Sequence, residues 1–74
     1  MLEVRAPLTA TVVDISVWPG KMVNKGEELM QLEAMKVYIP IQAPCTGRIV
    51  AVHISSGQVV QKESIMLVIE CANS

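Results

Sequence analysis

Val12-Val13-Asp14-Ile15-Ser16-Val17-Trp18-Pro19-Gly20 and, 37 positions on, Ile49-Val50-Ala51-Val52-His53-Ile54-Ser55-Ser56-Gly57 decide the fold between them. In the first run Val13, Ile15 and Val17 alternate with Asp14 and Ser16; in the second Val50, Val52 and Ile54 alternate with Ala51 and His53. A period of two marks a β-strand with one buried face. Each run ends in a glycine-bearing turn, Trp18-Pro19-Gly20-Lys21 or Ser55-Ser56-Gly57-Gln58, where glycine can supply a positive φ.

Outward from these runs the same displacement keeps matching. Ala6-Pro7 falls on Ala43-Pro44, Thr9 on Thr46, Val23 on Val60, Lys25 on Lys62 and Leu32-Glu33 on Ile69-Glu70. Two half-repeats, about 6–33 and 43–70, therefore make up one domain spanning 1–74. Each half continues with a short strand (22–23 or 59–60), a polar turn, and a denser apolar strand (29–34 or 65–69). No segment carries a capped helical period. Between the halves, Val37-Tyr38-Ile39-Pro40-Ile41-Gln42 alternates again, and Pro40, with no N–H for a ladder, suits a sheet edge. The expected fold is all-β. It is a flattened barrel or sandwich (a barrel-sandwich hybrid) of two four-stranded antiparallel sheets with internal pseudo-two-fold symmetry. Symmetry puts the joint at 34–37 at the end of the molecule opposite the termini.

Composition narrows the function. Apolar residues are 51% of the chain with no Phe, one Trp and one Tyr, so the core is aliphatic and rich in β-branched side chains. A chain this short buries only ~60% of its unfolded surface. The net charge of −1 offers no footprint for nucleic acid, and the scarcity of aromatics removes the stacking platforms a single-strand binder needs. No window approaches a membrane span, and no signal peptide is visible. Cytoplasmic localisation and two reduced thiols, Cys45 and Cys71, are expected; a structural zinc site is not, with one histidine and no CxxC.

Lys36 sits at the joint, within Glu33-Ala34-Met35-Lys36-Val37. An ordinary lysine amine, of pKa ~10.4, is almost wholly protonated at neutral pH. A nucleophilic lysine needs burial or a neighbouring cation, and the residues around Lys36 supply neither. No catalytic set appears elsewhere, so the chain is expected to be a substrate and carrier with no catalytic residues of its own. Two apolar neighbours, Met35 and Val37, bracket the charge and suit recognition by a modifying enzyme. The segment also lacks the Gly, Asn or Asp of a tight turn. Local rules broken in this way concentrate at functional sites.

Glu33-Ala34-Met35-Lys36 resembles the attachment motif of biotinyl domains, usually Glu-Ala-Met-Lys-Met. The likeness runs through nearly the whole chain. Ala6-Pro7-Leu8-Thr9-Ala10-Thr11-Val12 is similar to the family's opening Ala-Pro-Met-x-Gly-x-Val/Ile, and Gly20 to Gly26 is similar to its Gly-x-x-Val-x-x-Gly. The segments from Ile41 to Ile49 and from Gly57 to Val60 are similar to the matching parts of the second half. The resemblance implies a biotin carboxyl carrier domain, most similar to small stand-alone biotin/lipoyl attachment proteins. Lys36 would carry biotin through an amide. A biotin protein ligase would read Glu33, Ala34, Met35 and Val37. A biotin carboxylase and a carboxyltransferase would be the working partners, with the domain itself monomeric and binding neither metal, nucleic acid nor membrane.

Two positions depart from the pattern: Val37 stands where Met is usual, and Ala10 where Gly is usual. Two other readings remain: a lipoyl or dual biotin/lipoyl carrier, whose motif is typically Asp-Lys-Ala, and an unmodified β-hammerhead module serving structure or interaction alone. Of the remaining side chains, His53 reads as exposed, Cys45 as a small packed hydrophobe, and Met22, Met30 and Met66 as core.

Overall fold

The computed structural model describes residues 1–72. Eight strands follow in order: β1 (Leu2–Arg5), β2 (Ala10–Ile15), β3 (Met22–Val23), β4 (Glu28–Ala34), β5 (Val37–Gln42), β6 (Gly47–Val52), β7 (Val59–Val60) and β8 (Ile65–Cys71). They form two four-stranded antiparallel sheets, β1-β8-β6-β3 and β5-β4-β2-β7, as the sequence predicts. A displacement of 37 positions carries the bounds of β2, β3 and β4 onto those of β6, β7 and β8. It also turns one sheet order into the other.

Neither half closes alone. The short strand of the first half, β3, pairs with β6 of the second, and β7 pairs with β2. Gly20 and Ile49 donate backbone hydrogen bonds across the first junction, to Ile49 O and Lys21 O; Gly57 and Val12 donate the matching pair to Val12 O and Gln58 O. The core repeats the symmetry. Its eight largest fully buried side chains are four equivalent pairs: Val12 and Ile49, Leu29 and Met66, Met30 and Leu67, Leu32 and Ile69. Burying each stabilises by about 1.5–3 kcal/mol. No polar side chain is buried among the described residues.

The alternation differs from expectation at a bulge. Val12 opposes Leu32 and Asp14 opposes Gln31, which leaves Val13 as the extra residue; Val50 is extra in the same way between Ile49 and Ala51. A bulge shifts the inward phase by one position. Along β2 and the run that follows it, the buried residues are therefore Ala10, Val12 and Val17, with Val13 half-buried and not part of a continuous face. Bulges at Leu29 and Met66 explain the dense strands, since they let Leu29 with Met30, and Met66 with Leu67, all point inward.

Two further expectations are corrected. Met22 is 62% exposed, because its short strand turns only Val23 inward. Cys45 and Cys71 are joined in a disulfide, with Cα atoms 5.8 Å apart. Residues 26 apart in sequence meet because Gly47 stands opposite Cys71 in the β6–β8 ladder. Pairing of this kind leaves no trace in a sequence that lacks a cysteine framework.

Candidate functional site

The β4–β5 hairpin closes through the pair Ala34–Val37, leaving Met35 and Lys36 as a two-residue loop. Both have positive φ, 52° and 67°, the signature of a type I′ turn. Such a turn prefers Asn-Gly, since L-residues in the left-handed region cost roughly 1–2 kcal/mol each. The β4–β5 ladder, in unbroken register from the Met30–Ile41 pair to Ala34–Val37, imposes the turn on a sequence with no preference for it.

This geometry presents Lys36 to solvent. Met35 beside it is 95% exposed and Val37 is 59% exposed. Glu33 and Ala34 are half-buried, and Ala34 packs against the core. Among the described residues the Lys36 amine makes no ion pair. The hairpin thus brings together all five residues singled out in the sequence. Four of them can meet a partner in some part, while Ala34 acts mainly to seat the turn on the core. Tyr38 was missed. It is 58% exposed and lies opposite Glu33, and the alternation along β5 could have placed it on the outer face with Pro40.

Register sets the hairpin apart from the termini. β4 runs from the 24–27 turn to the Lys36 turn. The end of β8, Cys71, lies opposite Gly47, which is itself paired with Val23 just before the 24–27 turn. Ala72 donates to Thr46 O, and Thr46 Oγ1 accepts from Lys25 N–H. The free end of β8 is thus at the opposite end of the molecule from Lys36, as the symmetry predicts.

The family model for biotin-requiring enzymes, the biotin/lipoyl domain, matches residues 2–69. The chain belongs to the biotin/lipoyl attachment family. Within that family it is 37% identical over 67 residues to the biotinylated protein TB7.3 homolog of Mycobacterium leprae, covering 90% of this chain and 94% of that protein. It is 39% identical over 70 residues to pyruvate carboxylase of Bacillus subtilis, covering 95% of this chain but 6% of the carboxylase. Among solved structures, a single-chain, multi-domain long-chain acyl-CoA carboxylase superposes with a TM-score of 0.90 at 35% identity, over 97% of this chain and 7% of that one.

Ala10 has a physical account. A Cβ on Gly47 would fall on the Glu70 carbonyl oxygen and 2.9 Å from Cys71 Cα, so glycine is required there. Ala10, its equivalent, is buried with its methyl group among the core residues. The first half therefore accommodates the Cβ that the second cannot.

Proposed function

We propose that this chain is a biotin carboxyl carrier, with biotin attached to Lys36. The carrying observation is a lysine amine with no ion pair among the described residues, at the apex of a strained two-residue turn backed by an interlocked double sheet. Attachment forms an amide between the Lys36 Nζ and the biotin carboxyl carbon: a biotin protein ligase supplies biotin as an acyl-adenylate made with ATP, the acyl C–O bond to phosphate breaks so that AMP leaves, and the ligase takes up the amine proton. Glu33, Met35 and Val37 are then the surface the ligase reads, with Ala34 holding the turn in place. Bound biotin supplies a ureido nitrogen that accepts and releases a carboxyl group. The chain's own part is positional: tethering at an exposed tip gives a high effective concentration at each active site visited. The partners are a biotin carboxylase and a carboxyltransferase, and residues 1–74 act as one monomeric unit.

Cytoplasmic placement belongs to the same proposal. Cell fractionation tests it: the chain should be recovered with the cytoplasmic fraction, and recovery from another compartment would overturn it.

Intact mass after co-expression, once with a biotin ligase and once with a lipoyl ligase, tests the carrier reading. A biotinyl increment that is lost in Lys36→Arg supports it. A lipoyl increment alone would replace biotin with lipoate, and no increment with either ligase would leave the fold as a structural module.

A further inference from the structure

In a two-fold symmetric fold, each position near the tip has a counterpart near the other end. Four side chains lie abreast across the outer face of the sheet that bears Lys36: Tyr38 opposite Glu33, Glu33 opposite Thr11, and Thr11 opposite Val59. Cross-strand partners project to the same face and interact directly. The 37-residue displacement relates Glu33, Thr11 and Val59 to Glu70, Arg48 and Met22, which stand abreast in the other sheet.

The two rows differ in one respect of charge. Away from the tip, Arg48 Nη2 lies 3.4 Å from Glu70 Oε1 and neutralises it. In the tip row Thr11 replaces the arginine, and Glu33 has no ion pair among the described residues. Apolar side chains end that row, Tyr38 next to Glu33 and Val59 beyond Thr11, each 58% exposed. The other sheet shows how a guanidinium meets an acid at this spacing; beside Glu33 the described residues supply no cation, which leaves the place open to one from a partner.

We propose that the Tyr38–Glu33–Thr11–Val59 row is a docking strip for the biotin protein ligase. The ligase presents a cationic side chain to Glu33, between apolar contacts to Tyr38 and Val59. This rests on the carrier reading and extends it beyond the hairpin to β2 and β7. The ligase is the fitting occupant because it meets the chain before any cofactor is attached, so all its recognition must come from protein surface. The row also begins at the pair next to Ala34–Val37, within direct reach of an enzyme engaged with Lys36.

Steady-state biotinylation of the unmodified domain by a biotin protein ligase, with biotin and ATP, tests the strip. Thr11→Arg, which supplies the cation from within the chain, should raise KM about fivefold with kcat unchanged. Arg48→Thr, the reverse exchange on the other sheet, should change neither. Tyr38→Ser and Val59→Ser should raise KM, whereas Met22→Ser, at a similarly exposed position, should not. Thermal melts confirm that each variant is folded. Should Thr11→Arg fail to fold, Glu33→Gln reads the same contact: it should raise KM and flatten its rise with salt. A wild-type KM in Thr11→Arg or in Glu33→Gln, or equal effects from the two sheets, would overturn the strip while leaving the carrier reading intact. Absence of label on wild-type Lys36 would overturn the carrier reading, and the strip with it.

Discussion

Breaking the Cys45–Cys71 bond should cost this domain a large part of its stability and none of its capacity to be modified. The bond closes a loop of 26 residues, for which the chain-entropy relation gives about 3.5 kcal/mol at 25 °C. A 74-residue chain has only about 4–11 kcal/mol of net stability at typical values per residue. At about 4–8 °C per kcal/mol for a domain of this size, reduction should lower Tm by about 14–28 °C. Location explains why the cost is not spread to the site. β8 and β1 pair with each other but lie at opposite ends of the chain, so no hairpin joins them; the disulfide ties the end of β8 to the loop before β6 instead. Equivalent positions in the first half are Leu8 and Ala34, both packed against the core, where the Lys36 hairpin already provides continuity. Far-UV circular dichroism melts with and without a phosphine reductant measure the loss. Cys45→Leu with Cys71→Ala, which copies the first half, should recover about 1 kcal/mol of it through added apolar burial. Labelling rates at Lys36, taken well below both melting points, should be equal in the oxidised and reduced forms. A Tm change under about 3 °C would refute the entropic account, and slower labelling of the folded, reduced protein would refute the separation of the two ends.

Other perturbations follow from the same geometry. Gly47→Ala should destabilise by about 2–3 kcal/mol, because the β8 backbone cannot yield to a Cβ, whereas Ala10→Gly should cost about 1 kcal/mol or less; urea unfolding compares them. Met35→Asn with Lys36→Gly should stabilise by about 1–2 kcal/mol by matching the type I′ turn, while abolishing any biotinyl mass increment. Glu63 has a φ of 73° where the equivalent Gly26 has 89°, so Glu63→Gly should leave stability unchanged or raise it by up to about 1 kcal/mol, read from urea midpoints. Glu27 is held below its ordinary 4.5 by the hydrogen bond from Lys21, then by the Asn24 N–H. The folded state therefore binds fewer protons than the unfolded one, and this contribution is present above pH 4.5 and fades as pH falls through the lower folded value. Melts from pH 6 to pH 3 should show the stability gap between wild type and Lys21→Met closing across that range.

Most of the fold was legible because its signals are doubled. The alternation, the turn glycines and the apolar positions of one half all recur in the other, so each reading had a second witness. The phase of β2 and β6 was misread where Val13 and Val50 form bulges, because a bulge hides in a Val-rich run that looks apolar in either register. Met22 was misread for a related reason: a two-residue strand has one inward position, and composition does not say which. The cysteines were misread because their meeting depends on the β6–β8 register, a tertiary property. At the site, Lys36 was found from its place at the joint and its apolar flanks. The left-handed backbone of Met35 and Lys36 was not, since nothing in Ala-Met-Lys-Val favours it and only the ladder beyond enforces it.

The places where the two halves stop matching divide into two kinds, and the division itself separates structure from function. Gly47 against Ala10, and Cys45 and Cys71 against Leu8 and Ala34, are differences of backbone room and chain closure; each has a steric or entropic cause within the molecule. Lys36 on its turn and Thr11 in place of Arg48 have no such cause. A left-handed Met-Lys pair lowers stability, and leaving Glu33 unpaired gives up an ion pair that the other sheet makes at the same spacing. Departures that cost the isolated chain and contribute nothing inside it are the ones whose compensation must lie in a partner. Both fall on the same end of the same sheet, one at the apex of the hairpin and one on its outer face. That coincidence is why the surface next to Lys36, and not the lysine alone, is assigned to recognition.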